Sequence, residues 1–230
     1  MTLHRFFVDP AAMVGDRFPL PATIERQVRT VLRLRDGERI VLLTGDGDEL
    51  TCQLEGDDCV VESRQRAGGE PAHRLTVVQA LLKGDGLEEV VQRGTELGVV
   101  RFDLTVTDRC VARELSARKL ERLRAIARES AEQSERGIVP HVAAPVPVSD
   151  LLHPPAVLLF EREVERRLRD LDQPPTSVVI GPEGGFSERE VALARERGVE
   201  VVGLGRRILR SQTVAPAVAA VVLSRSGDFA

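Results

Sequence analysis

The sequence predicts an α/β protein in two parts, a small β-rich domain over residues 1–70 and a larger domain over residues 74–230 built on a mainly parallel sheet. Three observations carry this reading. Short β-type runs at 39–44 and 49–54 flank Gly45-Asp46-Gly47-Asp48, a hairpin signal. Beyond residue 74, apolar runs alternate with amphipathic helical stretches, as in sheets whose strands are joined by covering helices. Between the two lies 63–73, where Gly68, Gly69 and Pro71 stand among polar residues and read as a linker.

In the first part, 22–34 has helical character and 59–63 can pair beside the hairpin, which together suggest a small barrel with an inserted helix. In the second, 75–82 is the first strand. Asp85 is placed to cap the next helix with Glu88 three residues on, and Gly98 to end it. A strand follows at 99–106. Residues 116–133 form a long helix: Leu120, Leu123, Ala127 and Ala131 share one face, while Arg122, Arg124, Arg128 and Glu132 lie off it. Strands at 156–160, 177–180 and 199–202, a helix at 188–197 and a C-terminal helix ending near Arg225 complete the pattern. Pro216 fits best at the first helical position, which leaves 211–215 extended.

Composition narrows the function. With 42% hydrophobic residues in 230, the chain has enough apolar material for packed cores. No stretch approaches the roughly 18 apolar residues of a membrane span, and 1–9 lacks an export-signal pattern, so a soluble cytoplasmic protein is expected. Cys52, Cys59 and Cys110 and the four histidines lack ligand spacing, so no metal site is expected. A net charge of −4 rules out an overall basic nucleic-acid grip and confines any RNA contact to local patches. Without Trp or Tyr, and with seven Phe, a base-stacking platform is disfavoured.

Ligands of open α/β sheets collect beyond the carboxyl ends of strands. Three such loops stand out: one beginning at Phe160-Glu161; Gly181-Pro182-Glu183-Gly184-Gly185-Phe186 before a Ser187/Glu190 capping box; and Gly203-Leu204-Gly205-Arg206-Arg207-Ile208-Leu209-Arg210. The second lacks the Lys-Ser/Thr ending of a phosphate-binding P-loop and carries Glu183 instead. It reads equally as a cradle for a non-phosphate ligand or as a tight turn with none.

These motifs, with Arg5-Phe6-Phe7-Val8, Lys83-Gly84-Asp85, Thr95-Glu96-Leu97-Gly98, Ala131-Glu132-Gln133-Ser134 and Arg136 in the same order and spacing, resemble the RsmE family of bacterial 16S ribosomal RNA methyltransferases. That family belongs to the SPOUT superfamily and forms 3-methyluridine in the small ribosomal subunit. The resemblance covers nearly the whole chain. It implies a PUA-like N-terminal barrel for RNA, a C-terminal domain with a trefoil knot, a homodimer, and S-adenosylmethionine as cofactor. Carried over residue by residue, it places Leu159, Phe160, Glu161, Ile180, Gly181, Gly185, Leu204, Gly205, Ile208, Leu209, Arg210 and Thr213 around that cofactor. Gln212 stands where the family often has Glu, and Val214 and Pro216 interrupt its usual run of small residues.

For chemistry, Glu132 and Arg136 are one helical turn apart, as either a catalytic pair or a surface ion pair. Arg136 or Arg210 is a candidate cation for a uridine anion. Arg26, Arg29 and Arg33, at helical spacing, together with Arg5 form a candidate phosphate strip, against the alternative of a solvated helix face. Two other functions stay open: an RNA-binding protein with a vestigial pocket, and a nucleotide-phosphate enzyme, against which the missing P-loop argues.

Overall fold

The computed structural model describes residues 3–228. The chain divides into two compact units. One is the chain to Glu70 together with Ala131–Val139; the other is Pro71–Ser130 with the chain from Pro140 onward.

The first unit is a five-stranded sheet made of β1 (His4–Phe7), β2 (Arg17–Pro19), β3 (Arg39–Leu43), β4 (Asp48–Glu55) and β5 (Asp58–Arg66), in the order β1-β3-β4-β5-β2. The β1–β3 pair is parallel and the others antiparallel. The hairpin forms where the sequence marks it, with Gly45 and Gly47 at positive φ and the Thr44 N–H donating to Asp48 O at 3.1 Å. The Asp46 carboxyl is held below its ordinary range chiefly by the Thr44 hydroxyl, which donates to it. β5 extends to Arg66, three residues past the expected strand end at 63, because its backbone continues to pair with β4 as far as Asp48. The helical segment is α1 (Ala22–Arg26), continued by a π-helical turn at Gln27–Val31 and followed by Arg33 at φ 57. Ile24 and Val28 pack with Ile40, Leu42, Leu50, Cys52, Leu54 and Cys59; the cysteines are free, buried thiols. A second cluster joins Phe7, Val41 and Leu43 to Ala131, which brings a distant piece of chain into this unit.

The second unit holds β6 (Thr76–Ala80), α2 (Gly86–Glu96), β7 (Arg101–Val106), α3 (Ala117–Gln133, its final residues counted with the first unit), β8 (His141–Pro147), β9 (Ala156–Leu159), β10 (Ser177–Ile180), α4 (Glu188–Glu196), β11 (Glu200–Val202) and α5 (Ser211–Arg225). Its six strands run in the order β11-β9-β10-β6-β7-β8, all parallel. Sequence reasoning missed β8, which contains Pro145 and Pro147. It is an edge strand, where proline is tolerated, and its register with β7 shifts beside Pro145.

Two local expectations are corrected. Asp85 precedes α2 but makes no side-chain cap hydrogen bond: its ψ of 9° departs from the extended cap geometry that aims the carboxylate at the first turn, and the carboxylate instead lies 3.6 Å from Lys119 Nζ. The C-terminal helix starts at Ser211 rather than Pro216, which sits inside it. Contacts of Ser211, described below, hold the first turn helical and outweigh the one backbone hydrogen bond that proline cannot donate.

Candidate functional site

The strand order reverses between β6 and β10. The chain builds outward from β6 through β7 to β8, then restarts at β9 and places β10 on the other side of β6. Such a switch point opens a crevice at the carboxyl ends of the strands. A cavity of about 850 Å³ lies there, a volume that suits a small-molecule ligand.

Four strand-end loops line it. Lys83 and Asp85 come from the β6–α2 loop, with Gly86 and Glu89 from α2; Leu159, Phe160 and Glu161 end β9; Ile180 to Phe186 end β10; Leu204, Gly205 and Arg207 to Arg210 follow β11, with Ser211, Gln212 and Val214 from α5. Of the residues expected around a cofactor, Leu159, Phe160, Glu161, Ile180, Gly181, Gly185, Leu204, Gly205, Ile208, Leu209 and Arg210 all line this cavity. Thr213 does not. Because α5 begins at Ser211, successive side chains turn by about 100°, and Gln212 and Val214 take the lining positions. The β6–α2 contribution was missed, although it too is a glycine-bearing loop at a strand's carboxyl end.

Gly185 is needed where it stands. Gly185, at φ 68, closes a turn with its N–H on Pro182 O at 3.0 Å, and a Cβ there would lie 2.8 Å from Glu161 Oε1. Glu183 does not simply face the cavity: its Oε1 accepts the Lys83 N–H at 2.9 Å and ties the β10 loop to the β6 loop. At the base, Ser211 Oγ donates to Gly181 O at 2.6 Å and accepts from Gln79 Nε2 at 3.0 Å.

The expected capping box at the start of α4 is present. Ser187 Oγ accepts the Glu190 N–H at 3.2 Å, and Glu190 Oε2 accepts the Ser187 N–H at 2.8 Å. The other carboxylate oxygen of Glu190 accepts the Asp108 N–H at 2.8 Å, which joins the loop after β7 to the glycine loop. The Ser187 hydroxyl, donating at 2.6 Å, and then Arg189 hold the Asp108 carboxyl below its usual range. A carboxyl lowered in this way stabilises the fold above its unfolded-state pKa, and that contribution is lost as pH falls through the lowered value. Asp108→Asn is therefore expected to lower the melting temperature at neutral pH and to flatten its decline below about pH 4; parallel melting curves for the two proteins across that range would contradict this.

The other candidates are not brought to the cavity. Glu132 accepts the Phe7 N–H at 2.9 Å. Arg136 is 1% exposed and donates to Glu70 through Nε at 3.2 Å and Nη2 at 2.9 Å. Both belong to the first unit. Within the candidate phosphate strip, Arg5 is held by Glu49 and Glu135, and Arg29 by Asp36 and the carbonyls of Leu34 and Gly56. Arg26 and Arg33 are exposed. Among the described residues no helix is long and apolar enough to cross a membrane, and no group of three or more His, Cys, Asp or Glu is placed to hold a metal ion.

Comparison with known proteins agrees with this architecture. A family model described as an RNA methyltransferase domain matches residues 69–223. The chain is 33% identical to a ribosomal RNA small subunit methyltransferase E of Synechocystis, covering 94% of this chain and 75% of that protein, and 30% identical to one of Bacillus subtilis, covering 92% of each. The solved structure of a ribosomal RNA small subunit methyltransferase E from Neisseria gonorrhoeae, bound to S-adenosyl methionine, superposes with a TM-score of 0.87 at 30% identity over 100% of both chains. A parallel sheet whose switch-point crevice is walled by these glycine loops, together with likeness along the whole chain, establishes that the protein belongs to the ribosomal RNA small subunit methyltransferase E family of RNA methyltransferases.

Proposed function

We propose that this protein transfers the methyl group of S-adenosylmethionine to N3 of a uridine in 16S ribosomal RNA of the small subunit. The observation that carries the reading is the convergence of four strand-end loops on one cavity without a P-loop. The residues present fit the cofactor. Leu159, Phe160, Ile180, Leu204 and Leu209 offer apolar walls, Asp85, Glu89 and Glu161 bring carboxylates suited to a cationic ligand, and the glycines leave room for it.

Bound there, the cofactor supplies an electrophilic methyl carbon. The loops would hold uridine N3, its proton released to solvent water, in line with that carbon and the departing sulfur, so much of the rate would come from alignment. Arg210 lines the cavity, is exposed and makes no ion pair among the described residues, which suits it to stabilise the uracil anion. We assign Arg136 to structure rather than chemistry, since its guanidinium is buried against Glu70, and Glu132 to anchoring β1. The same reading takes the first unit as a PUA-like RNA-holding barrel, with Arg26 and Arg33 as its remaining phosphate candidates. It takes the second unit as trefoil-knotted, in keeping with the return of the last helix to Gln79 and Gly181. It takes the working form as a homodimer.

Labelled methyl from S-adenosylmethionine, incubated with undermethylated small ribosomal subunits, is expected in 3-methyluridine on nucleoside analysis; label in another nucleoside overturns the choice of base, and no transfer overturns the activity. Ser211→Ala is expected to leave the Gly181 carbonyl and the Gln79 amide short of a partner, costing about 1–3 kcal/mol and weakening cofactor binding several-fold by calorimetry. Unchanged affinity and stability would remove Ser211 from the loop's support.

A further inference from the structure

Arginines of the second unit near the loops after β9 and β11 differ in their partners. Arg162, Arg166, Arg189 and Arg195 pair with Glu188, Glu200, Asp108 and Glu163. Arg167, Arg206, Arg207 and Arg210 enter no ion pair among the described residues, although the chain carries a net charge of −4, and the last three are exposed. The backbone brings Arg167 beside Gly203, just before the other three. The Gly203 N–H donates to Arg166 O at 2.8 Å, the Leu168 N–H donates to Gly203 O at 2.9 Å, and Arg167 bridges Gly203 in parallel fashion, so the loop holding Arg167 runs beside the loop holding the other three. Arg207 and Arg210 line the cavity. Between them Ile208 is 85% exposed, an apolar side chain standing in solvent among cations.

A nucleic acid can offer a base to such a cavity only by turning it out of the stack. The phosphates on either side of that nucleotide then stand at the cavity mouth, and cations not already paired with carboxylates are free to bind them. We propose that Arg167, Arg206 and Arg207 form a phosphate-binding rim that holds the RNA backbone on the second unit, and that Ile208 packs against a base next to the one turned in. This rests on RNA being the substrate. It moves the expected grip away from Arg5 and Arg29, whose guanidinium groups are already engaged, to the edge of the cavity.

The test uses the Arg167→Ala/Arg206→Ala double variant, since neither residue lines the cavity. Binding of a 16S ribosomal RNA transcript is measured between about 50 and 200 mM salt, beside calorimetric binding of S-adenosylmethionine. RNA affinity is expected to fall on the order of tenfold at the lowest salt, and the slope of log K against log salt to fall by about 0.7 for each lost single-strand phosphate contact. Cofactor affinity is expected to stay at the wild-type value, and Arg167→Lys/Arg206→Lys to recover most of the slope, because lysine still binds phosphate as a point charge. Wild-type RNA affinity and slope in the alanine variant would overturn the rim. So would a matching loss of cofactor affinity, which would mean that these arginines hold the loops rather than RNA. A wild-type protein that binds the transcript with this salt dependence but transfers no methyl would instead overturn the proposed activity and leave the rim standing.

Discussion

Glu70→Ala is expected to destabilise the protein by about 3 kcal/mol, because it takes a carboxylate from a buried guanidinium. Arg136 is 1% exposed, and Glu70 accepts from it through both oxygens while also accepting the Ile138 N–H at 3.0 Å. Removing the acid therefore takes a carboxylate from a buried guanidinium and an acceptor from a backbone donor together, and both contacts help to hold 131–139 in the first unit. Urea denaturation gives the measurement, with the midpoint falling and the slope unchanged. Glu70→Leu combined with Arg136→Met is expected to recover most of the loss, since an apolar pair of similar volume avoids desolvating the ions. A Glu70→Ala midpoint within about 0.5 kcal/mol of wild type would show that the pair carries little of the fold.

Gly203→Ala is the second large effect, and it acts on the site. A Cβ at this position would lie 2.0 Å from Glu163 O. The obstacle is backbone, so no side-chain rotation relieves it, and the strand-like contact between the loops after β9 and β11 has to open. The expected cost is about 1–3 kcal/mol of stability, with kcat/KM lowered on the order of 100-fold as residues 204–210 leave their places around the cavity. Gly205→Ala is the control for stability: it lies two residues on, and its Cβ would meet nothing within 4 Å. Equal melting temperatures for the two alanine variants would contradict the steric argument.

Much of the site was legible because its determinants are local. A glycine loop after an apolar run, a serine three residues before a glutamate and the order of strands and helices all lie within short windows, where periodicity and capping rules apply. Eleven of the twelve residues that the family resemblance placed around the cofactor line the cavity. Thr213, placed there by the same resemblance, does not line the cavity, because α5 begins at Ser211 and turns it away. In the candidate phosphate strip, Arg5, Arg26, Arg29 and Arg33 look alike in sequence, but Arg5 is paired with Glu49 and Glu135 and Arg29 with Asp36, whereas Arg26 and Arg33 are exposed.

By itself the sequence determined the α/β class, the hairpin, the strand-end loops and the family, since each rests on residue type at close spacing. Tertiary structure alone decided that α5 starts at Ser211, where Gln79, 132 residues away, meets the hydroxyl. It also decided that β8 tolerates its prolines at a sheet edge and that Arg136 turns inward to Glu70, 66 residues distant. The physical reason is common to all three. Propensity acts over a few residues and is worth about 1 kcal/mol or less at most positions, whereas a buried polar group must find its partner wherever the chain brings one, at a comparable or larger penalty if it does not.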